Sequence, residues 1–420
     1  MCKILIKILR LVGKNGSALP GLIIERLYPE FLSKSLGPLE KKIILVTGTN
    51  GKTTTTKMLV AGLRGAGKTV VTNASGSNMT RGLIAALIED MSYLGSIKPT
   101  DWFVFEMDEA YAPIFTKQLS PRLVVGLNVL RDQLDRYGEI DKTAQLIKQA
   151  AVKADMFIYN ELDPLLVSVA SELRKQGMTP SSFGVVPKLI KGVENEQTVH
   201  GDTVIVDKIP AQTEVSEVEE TNDSQKITIE SNSKKFMVTI PTKGFHNVLN
   251  AAAAVASLEV LEPGAITQSL SAIEQMPIPF GRGEVLHIKG KSITVALVKN
   301  PSGFASNLET FVHAAKPEAV IFVVNDRLAD GRDVSWLWDV NFQGLIPKGT
   351  AISTSGIRGF DMALRLKQDG IESNTLTSIP RSIQLLMKSN YSNVVIIPTY
   401  TALFEVRSAL AKYGKVQRIW

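Results

Sequence analysis

Cysteine is nearly absent: the 420 residues contain one, Cys2. A single thiol excludes a disulfide framework, a cysteine-based zinc centre and an iron–sulfur cluster within this chain, and it suits a reducing compartment. Histidine is scarce as well, and His200, His246, His287 and His313 are too scattered to form a metal site. No stretch approaches the roughly 18 uncharged apolar residues of a membrane span, so none is expected. Neither sign of charge dominates: 47 Lys and Arg stand against 41 Asp and Glu. That surplus of six is too thin for a nucleic-acid protein, though it suits anionic small molecules or an anionic membrane surface. At roughly 100–200 residues per domain, the length implies two to four domains.

The first residues, Met1–Val12, are basic and apolar. Lys7 and Arg10 interrupt the apolar stretch and no small-residue cleavage site follows promptly, which argues against a secretory leader. Ile4, Leu5, Ile8, Leu9 and Val12 recur at helical spacing. They predict an amphipathic helix with a basic face, packed on the next domain or resting on a membrane surface.

From about residue 41, β-rich apolar runs alternate with helical patterns. Strands are predicted at Lys42–Thr47, Thr69–Asn73, Trp102–Met107, Leu123–Asn128 and Met156–Asn160, with helices at Lys52–Arg64, Asp141–Val152 and Pro164–Lys175. This alternation argues for an α/β fold with a mostly parallel sheet. Residues 185–240 break the pattern as a β-rich insertion, in which Glu214, Glu217, Glu219, Glu220 and Asp223 read as a solvated acidic loop. Helical spacing returns at Phe245–Leu261. A second α/β block, 284–420, carries strands at Ile293–Val298, Ala319–Val324, Thr350–Thr354 and Asn393–Ile397. Its helices fall around Ala305–Ala315, Phe360–Gln368, Ser382–Ser389 and Ala402–Lys412. Pro277, Pro279, Gly281 and Gly283 mark a hinge between the blocks. The division is thus an N-terminal helical segment, 1–40, packed on a central domain, 41–280, followed by the Rossmann-like α/β block at 284–420.

Two segments could cradle phosphate. Gly62–Thr69 satisfies G-x-x-x-x-G-K-T in full, whereas in Thr47-Gly48-Thr49-Asn50-Gly51-Lys52-Thr53-Thr54 the first glycine position is Val46. Physics reverses that ranking. A phosphate loop needs backbone N–H groups leaving a strand and a helix pointing its positive end at the anion. Thr47–Thr54 follows a predicted strand and opens a predicted helix; Gly62–Thr69 ends that helix and offers its partially negative end. In the first loop Lys52 would neutralise β/γ-phosphate charge and the Thr53 hydroxyl would hold Mg²⁺.

The shortened loop resembles the Mur ligase superfamily rather than ordinary phosphate-loop NTPases. Gly76-Ser77-Asn78-Met79 is similar to its loop after the second strand, and Glu106 ends an apolar strand where the family places a carboxylate on Mg²⁺. Gly244-Phe245-His246-Asn247-Val248-Leu249-Asn250 resembles its helix start, implying that Asn247, with His246 beside it, lies near the adenine. Gly281-Arg282-Gly283-Glu284 is similar to its G-R-x-E turn, implying Arg282 on phosphate. The run Asn128–Glu139 replaces the family's usual D-H-L-D-R-H, and Arg131 and Asp132 read as substrate-site residues or a helix-cap salt bridge. Within the superfamily, Asn300–Phe304, the D-G-R-D-V-S-W-L-W-D run Asp330–Asp339 and Pro398–Ala402 resemble the MurT family, ligase subunits of lipid II isoglutaminyl synthase.

That resemblance implies a Mur-ligase-type central ATPase domain carrying the β-rich insertion and a C-terminal domain that binds a partner. It also implies an activity: amidation of the D-glutamate α-carboxylate of the lipid II stem peptide, at the cytoplasmic face of the membrane. A carboxylate is a poor acyl donor, so ATP would convert it to an acyl phosphate that ammonia attacks. Lys52, Arg282 and Mg²⁺ held by Thr53 and Glu106 would supply the counter-charge, with Gly48, Thr49, Asn50, Gly51 and Thr54 completing the nucleotide site. For Asp108 and Glu109 a structural or substrate-orienting role is as consistent as a metal role. Ammonia would come from a GatD-like glutamine amidotransferase, since Cys2 lacks a recognisable surrounding site for glutamine hydrolysis. The resemblance further implies that the ligase subunit lends that partner an aspartate; Asp333 leads Asp330 and Asp339 because it lies inside the matching run, the alternative being that it caps a helix start. Trp336 and Trp338 read as core anchors sooner than interface residues. One departure matters: the family often has a four-cysteine zinc ribbon, and residues 185–240 contain no cysteine, so no zinc is expected. The rival readings are a stand-alone ligase adding an amino acid, as in muropeptide or folylpolyglutamate synthesis, and a nucleotide-binding scaffold that has lost catalysis.

Overall fold

The computed structural model describes residues 19–73, 78–92, 95–130, 140–190, 211–221, 224–277 and 281–416. Met1–Val12, Gly76, Ser77, the run Arg131–Glu139, His200, Asp223 and Pro279 lie outside the described residues. The described chain forms two units. The first comprises residues up to Leu130, from Ile140 to Pro241 and from His246 to Met276; the second comprises Thr242–Phe245 and the residues from Pro277 onward.

Helices α1 (Leu19–Leu27) and α2 (Phe31–Leu36) open the first unit. Its strands are β1 (Ile43–Thr47), β2 (Val70–Thr72), β3 (Trp102–Glu106), β4 (Leu123–Gly126), β5 (Met156–Asn160), β6 (Ser181–Val185), β7 (Thr213–Glu220), β8 (Gln225–Ser231) and β9 (Lys234–Ile240). They form one sheet in the order β2-β3-β1-β4-β5-β6-β7-β8-β9, parallel as far as β7 and antiparallel beyond it. Every residue of β1 is buried, as expected for a central parallel strand covered on both faces. Between the strands run α3 (Lys52–Gly65), α4 (Thr80–Asp90), α5 (Ala112–Thr116), α6 (Ile140–Ala151) and α7 (Pro164–Lys175), followed by α8 (Phe245–Leu261) and α9 (Ile266–Glu274). Alternate strand residues Ile43, Leu45, Phe103, Phe105 and Phe157 feed one continuous apolar core.

One local expectation is corrected. Glu214, Glu217, Glu219 and Glu220 do not form a loop; they lie on β7, which pairs with β6 on one side and β8 on the other. Val215 is fully buried while Glu219 and Glu220 are exposed, so the strand's interior residues, and not its glutamates, anchor it.

The second unit is a six-stranded sheet of β10 (Arg282–Ile288), β11 (Lys291–Ala296), β12 (Ala319–Val323), β13 (Ala351–Ser355), β14 (Asn374–Leu376) and β15 (Asn393–Pro398). Their order is β10-β11-β15-β12-β13-β14, with β10 antiparallel and the rest parallel. Helices α10 (Pro301–Asn307), α11 (Gly359–Gln368), α12 (Ile379–Lys388) and α13 (Tyr400–Leu410) pack with it. Along β12, Val320 and Phe322 enter one core with Phe304, Phe342 and Met362, while Ala319, Ile321 and Val323 enter another with Ile383, Leu403 and Val406. Period-two alternation thus buries both faces under helices.

Candidate active site

β1 ends at Thr47, and the next four residues turn the chain into α3. Two glycines make the turn possible. Gly48 has φ 130°, and a Cβ there would lie 2.9 Å from the backbone N and O of Asn128. Gly51 has φ 90°, and its Cβ would fall 2.2 Å from Asn250 Oδ1. Backbone strain and space both exclude a side chain at these positions. The product is a run of backbone N–H groups at the positive end of a 14-residue helix, an arrangement that favours an anion.

Lys52, the first residue of α3, is buried and folds back over the loop. Its Nζ donates to Gly48 O at 2.5 Å and Thr49 O at 3.3 Å, and lies 3.4 Å from Glu109 Oε1. Thr53 follows it, partly exposed. Glu106 is buried at the carboxyl end of β3, in register with Val46 of β1. Its backbone is fixed by Asn73, whose Oδ1 accepts from Glu106 N at 3.0 Å and whose Nδ2 donates to Glu106 O at 2.8 Å. Asp108 and Glu109 are also buried, so three carboxylates and one lysine gather where two parallel strands end. From α8, Asn250 accepts from Thr55 Oγ1 at 3.3 Å and donates to Asn247 Oδ1 at 3.2 Å, which brings the buried Asn247 to the same loop.

The loop is strapped to the segment after β4. Thr49 N donates to Asn128 O at 3.0 Å, Asn50 N to Asn128 Oδ1 at 2.8 Å, and Asn128 Nδ2 to Asn50 O at 3.1 Å. Leu130 N donates to Thr49 Oγ1 at 3.0 Å. Residues Asn73, Glu109, Asn128 and Asn250 thus join the site without having been singled out for these roles by sequence. A trace was present: each stands at or just past a strand end, or at the start of the alanine-rich helix.

Gly62–Thr69, the full pattern match, has a different explanation at every glycine. A Cβ at Gly62 would lie 2.5 Å from Leu258 Cδ1, and one at Gly65 2.5 Å from Ala272 Cβ, so both permit close helix packing. Gly67, at φ 78°, closes the helix: its N–H donates to Arg64 O and that of Lys68 to Leu63 O, the pattern of a Schellman stop. Lys68 pairs with Glu262 at 3.2 Å. This end of α3 presents carbonyls, not N–H groups.

Thr54, buried on α3, and His246, on the first turn of α8, belong to the first unit, whereas Arg282 and the residues after it belong to the second. Arg282 opens β10 at a bulge, where Gly283 has φ 81° and a Cβ would lie 2.4 Å from Phe311 Cζ; Glu284 beyond it pairs with the buried Arg407. Asp330 is buried and accepts from Thr401 N at 2.7 Å and Arg327 N at 3.1 Å, which fixes the loop after β12 to the start of α13. Asp333 is half-buried and accepts from Ser335 N at 2.8 Å and Ser335 Oγ at 2.9 Å, capping the turn Ser335–Asp339, whose last residue, Asp339, is exposed. Trp336 is in the core, as expected, but Trp338 is 46% exposed and outside it, which corrects the core-anchor reading for that residue. His287 and His313 are exposed.

Comparison with known proteins agrees with this geometry. Residues 46–258 match the model of the Mur ligase middle domain and residues 297–403 that of the MurT ligase C-terminal region. The chain is 28% identical over 435 aligned positions to the lipid II isoglutaminyl synthase (glutamine-hydrolyzing) subunit MurT of Streptococcus pneumoniae, covering 96% of this chain and 94% of that one. It is 27% identical to the subunit of the same name from Staphylococcus aureus strain COL, with the same coverage. Among solved structures, MurF of Acinetobacter baumannii superposes with a TM-score of 0.70 at 16% identity, over 94% of this chain and 80% of that one. MurF of Thermotoga maritima, solved with ADP, gives 0.64 at 15% identity, over 94% and 84%. The structural likeness establishes the fold; with the middle-domain match spanning half of its residues, the chain belongs to the Mur ligase family.

Proposed function

We propose that this chain is the ligase subunit of a glutamine-dependent amidating enzyme, converting the α-carboxylate of D-glutamate in the lipid II stem peptide to the amide at the expense of ATP. The observation that carries the reading is an intact anion cradle at the start of α3 in a chain aligned over 96% of its length with MurT subunits. The site residues, the nucleotide and the partner below are part of this proposal.

In the reaction, a substrate carboxylate oxygen attacks the γ-phosphorus of ATP, ADP leaves, and the carboxylate becomes an acyl phosphate. Ammonia then attacks the carbonyl carbon, loses a proton and expels phosphate. Lys52 would turn from the Gly48 and Thr49 carbonyls to the β/γ-phosphates, where its charge offsets that of the transferring group. The N–H groups of Thr49, Asn50, Gly51 and Lys52, with Thr54 behind them, would hold phosphate oxygens; Asn247 would border the adenine and Arg282 a phosphate, as the resemblance assigns them. Thr53 and Glu106 offer hard oxygen donors, and Mg²⁺ commonly takes one or two such protein groups beside phosphate and water; bound there it would neutralise phosphate charge. Glu109, already against Lys52, would set that lysine's position.

Glutamine hydrolysis requires an activated nucleophile, and the sequence holds one cysteine, Cys2, with no recognisable site around it. The reading therefore places the glutaminase on a partner chain of GatD type, with Asp333 foremost, ahead of Asp330 and Asp339, as the residue orienting its catalytic imidazole. The substrate's lipid anchor sets the place of action at the inner face of the cytoplasmic membrane.

The test is direct. The purified chain given ATP, Mg²⁺, ammonium and lipid II should yield amidated stem peptide by mass spectrometry, and glutamine should replace ammonium only when the glutaminase is added. Refusal of ammonium together with incorporation of a free amino acid would overturn the proposal in favour of an amino-acid ligase.

A further inference from the structure

We propose that Asp163 is a positioning residue for the phosphate loop, acting through the segment Leu127–Leu130; the inference rests on the reading that the loop binds the nucleotide's phosphates. Asp163 precedes α7, and its Oδ1 accepts from Leu165 N at 3.0 Å and Leu166 N at 3.1 Å, a complete N-cap. Serine, threonine or asparagine would cap the helix as well. What only the carboxylate adds is a second acceptor, and Oδ2 takes Val129 N at 2.6 Å.

That second bond reaches the loop in one step. Val129 sits between Asn128 and Leu130, the two residues that hold Thr49 and Asn50 through backbone and side-chain bonds. Asn160, in the same turn as Asp163, donates to Leu127 O at 3.1 Å. A four-residue strap is therefore fastened to the phosphate loop along one edge and to the β5–α7 turn along the other. The ionised carboxyl is costly where it stands: it is buried with three backbone N–H groups as its hydrogen-bond partners, and burial pushes its pKa up to about 6. A neutral cap would spare the helix that cost. Convergent N–H groups serve an anion only when held within about 0.5 Å of their places, and the strap supplies that constraint.

Asp163→Asn separates the two tasks, since Oδ1 can keep the cap while Nδ2 meets Val129 N donor to donor. Asp163→Ser keeps a cap acceptor and lacks the second oxygen. With ADP as the probe in calorimetric titration, both variants should bind about tenfold more weakly while keeping α7 and the cooperative thermal transition of the parent. In an Asn128→Ala background the same substitutions should add little, because that strap is already released. Unchanged ADP affinity in the folded variants, or losses that add in full, would overturn the proposal. Should the variants not fold, amide exchange in the parent protein decides: ADP should protect Val129, Leu165 and Leu166 together with Thr49 and Asn50, and protection confined to the loop would refute the strap. Absence of ADP binding by the parent protein itself would refute the nucleotide reading instead.

Discussion

Replacing Lys52 and Lys68 by alanine, one at a time, sets the two glycine–lysine–threonine segments against each other. Lys68 pairs with Glu262 at 3.2 Å with 35% of its side chain exposed, and a pair that open contributes about 0.2–1 kcal/mol. The Schellman stop beside it uses backbone atoms and survives the change. Lys68→Ala should therefore lower the thermal midpoint by no more than about 4 °C and leave ATP turnover within about twofold of the parent. Lys52 is different in both respects. Its side chain is 10% exposed against 5% for Glu109, and breaking a buried pair costs about 3–5 kcal/mol. The 3.4 Å separation places this pair near the lower end. Loss of its charge on the transferring phosphoryl should cost a further factor of about 10³ in turnover. Stability and chemistry are separable with Lys52→Met/Glu109→Gln, which removes both charges: the thermal midpoint should recover most of its loss and turnover should not. The assay is ATP consumption coupled to amidation of lipid II, read beside a thermal melt. Loss of turnover in Lys68→Ala with retention in Lys52→Ala would refute the assignment of the phosphate loop.

Gly51→Ala should cost about 3 kcal/mol, the sum of left-handed backbone strain and displacement of Asn250 from 2.2 Å, and should weaken ADP binding; calorimetry and a melt check both, and wild-type binding would contradict the geometry. Asp333→Asn, which keeps one oxygen for the Ser335 cap, should impair glutamine-driven amidation in the presence of the glutaminase and leave ammonium-driven amidation near normal; equal loss in both assays would move Asp333 into the ligase reaction or the fold. Asp163 gives a pH dependence of defined sign. Its folded pKa, about 6, exceeds the ordinary 3.8, so the folded state binds the proton more tightly than the unfolded chain does. The resulting stabilisation is full below about pH 3.8 and is lost as pH rises through about 6, an effect of about 3 kcal/mol. Denaturant melts of the parent should lose most of that relative to Asp163→Asn between pH 4 and 7, and parallel profiles would contradict the burial argument.

The central strands were readable because burial on both faces leaves unbroken apolar runs, as in Ile43–Val46 and Leu123–Val125, and because Asp163-Pro164 announces a helix start. β7 was not readable. Its exposed glutamates outweigh Val215 and Val218 in composition, and only pairing with β6 on one side and β8 on the other makes the segment a strand. The loop after β1 could be ranked above the fuller pattern match because the direction of a helix decides which end attracts an anion. Its supports were hidden. Asn128 reaches Asn50 with its side chain across 78 residues, Val129 acts through its backbone N–H, and Glu109 meets Lys52 across 57 residues, so composition carries no mark of these contacts. Gly51 illustrates the limit: it was expected in the nucleotide loop, but the need for glycine there comes partly from Asn250, which only the fold delivers.

The central claim, that nucleotide phosphates bind where β1 passes into α3, is tested most directly by a crystal structure with a non-hydrolysable ATP analogue. The account predicts the triphosphate against the backbone N–H groups of residues 48–53 with Lys52 Nζ on its β/γ oxygens. A triphosphate lodged at Gly62–Thr69, or anywhere in the second unit, would contradict it.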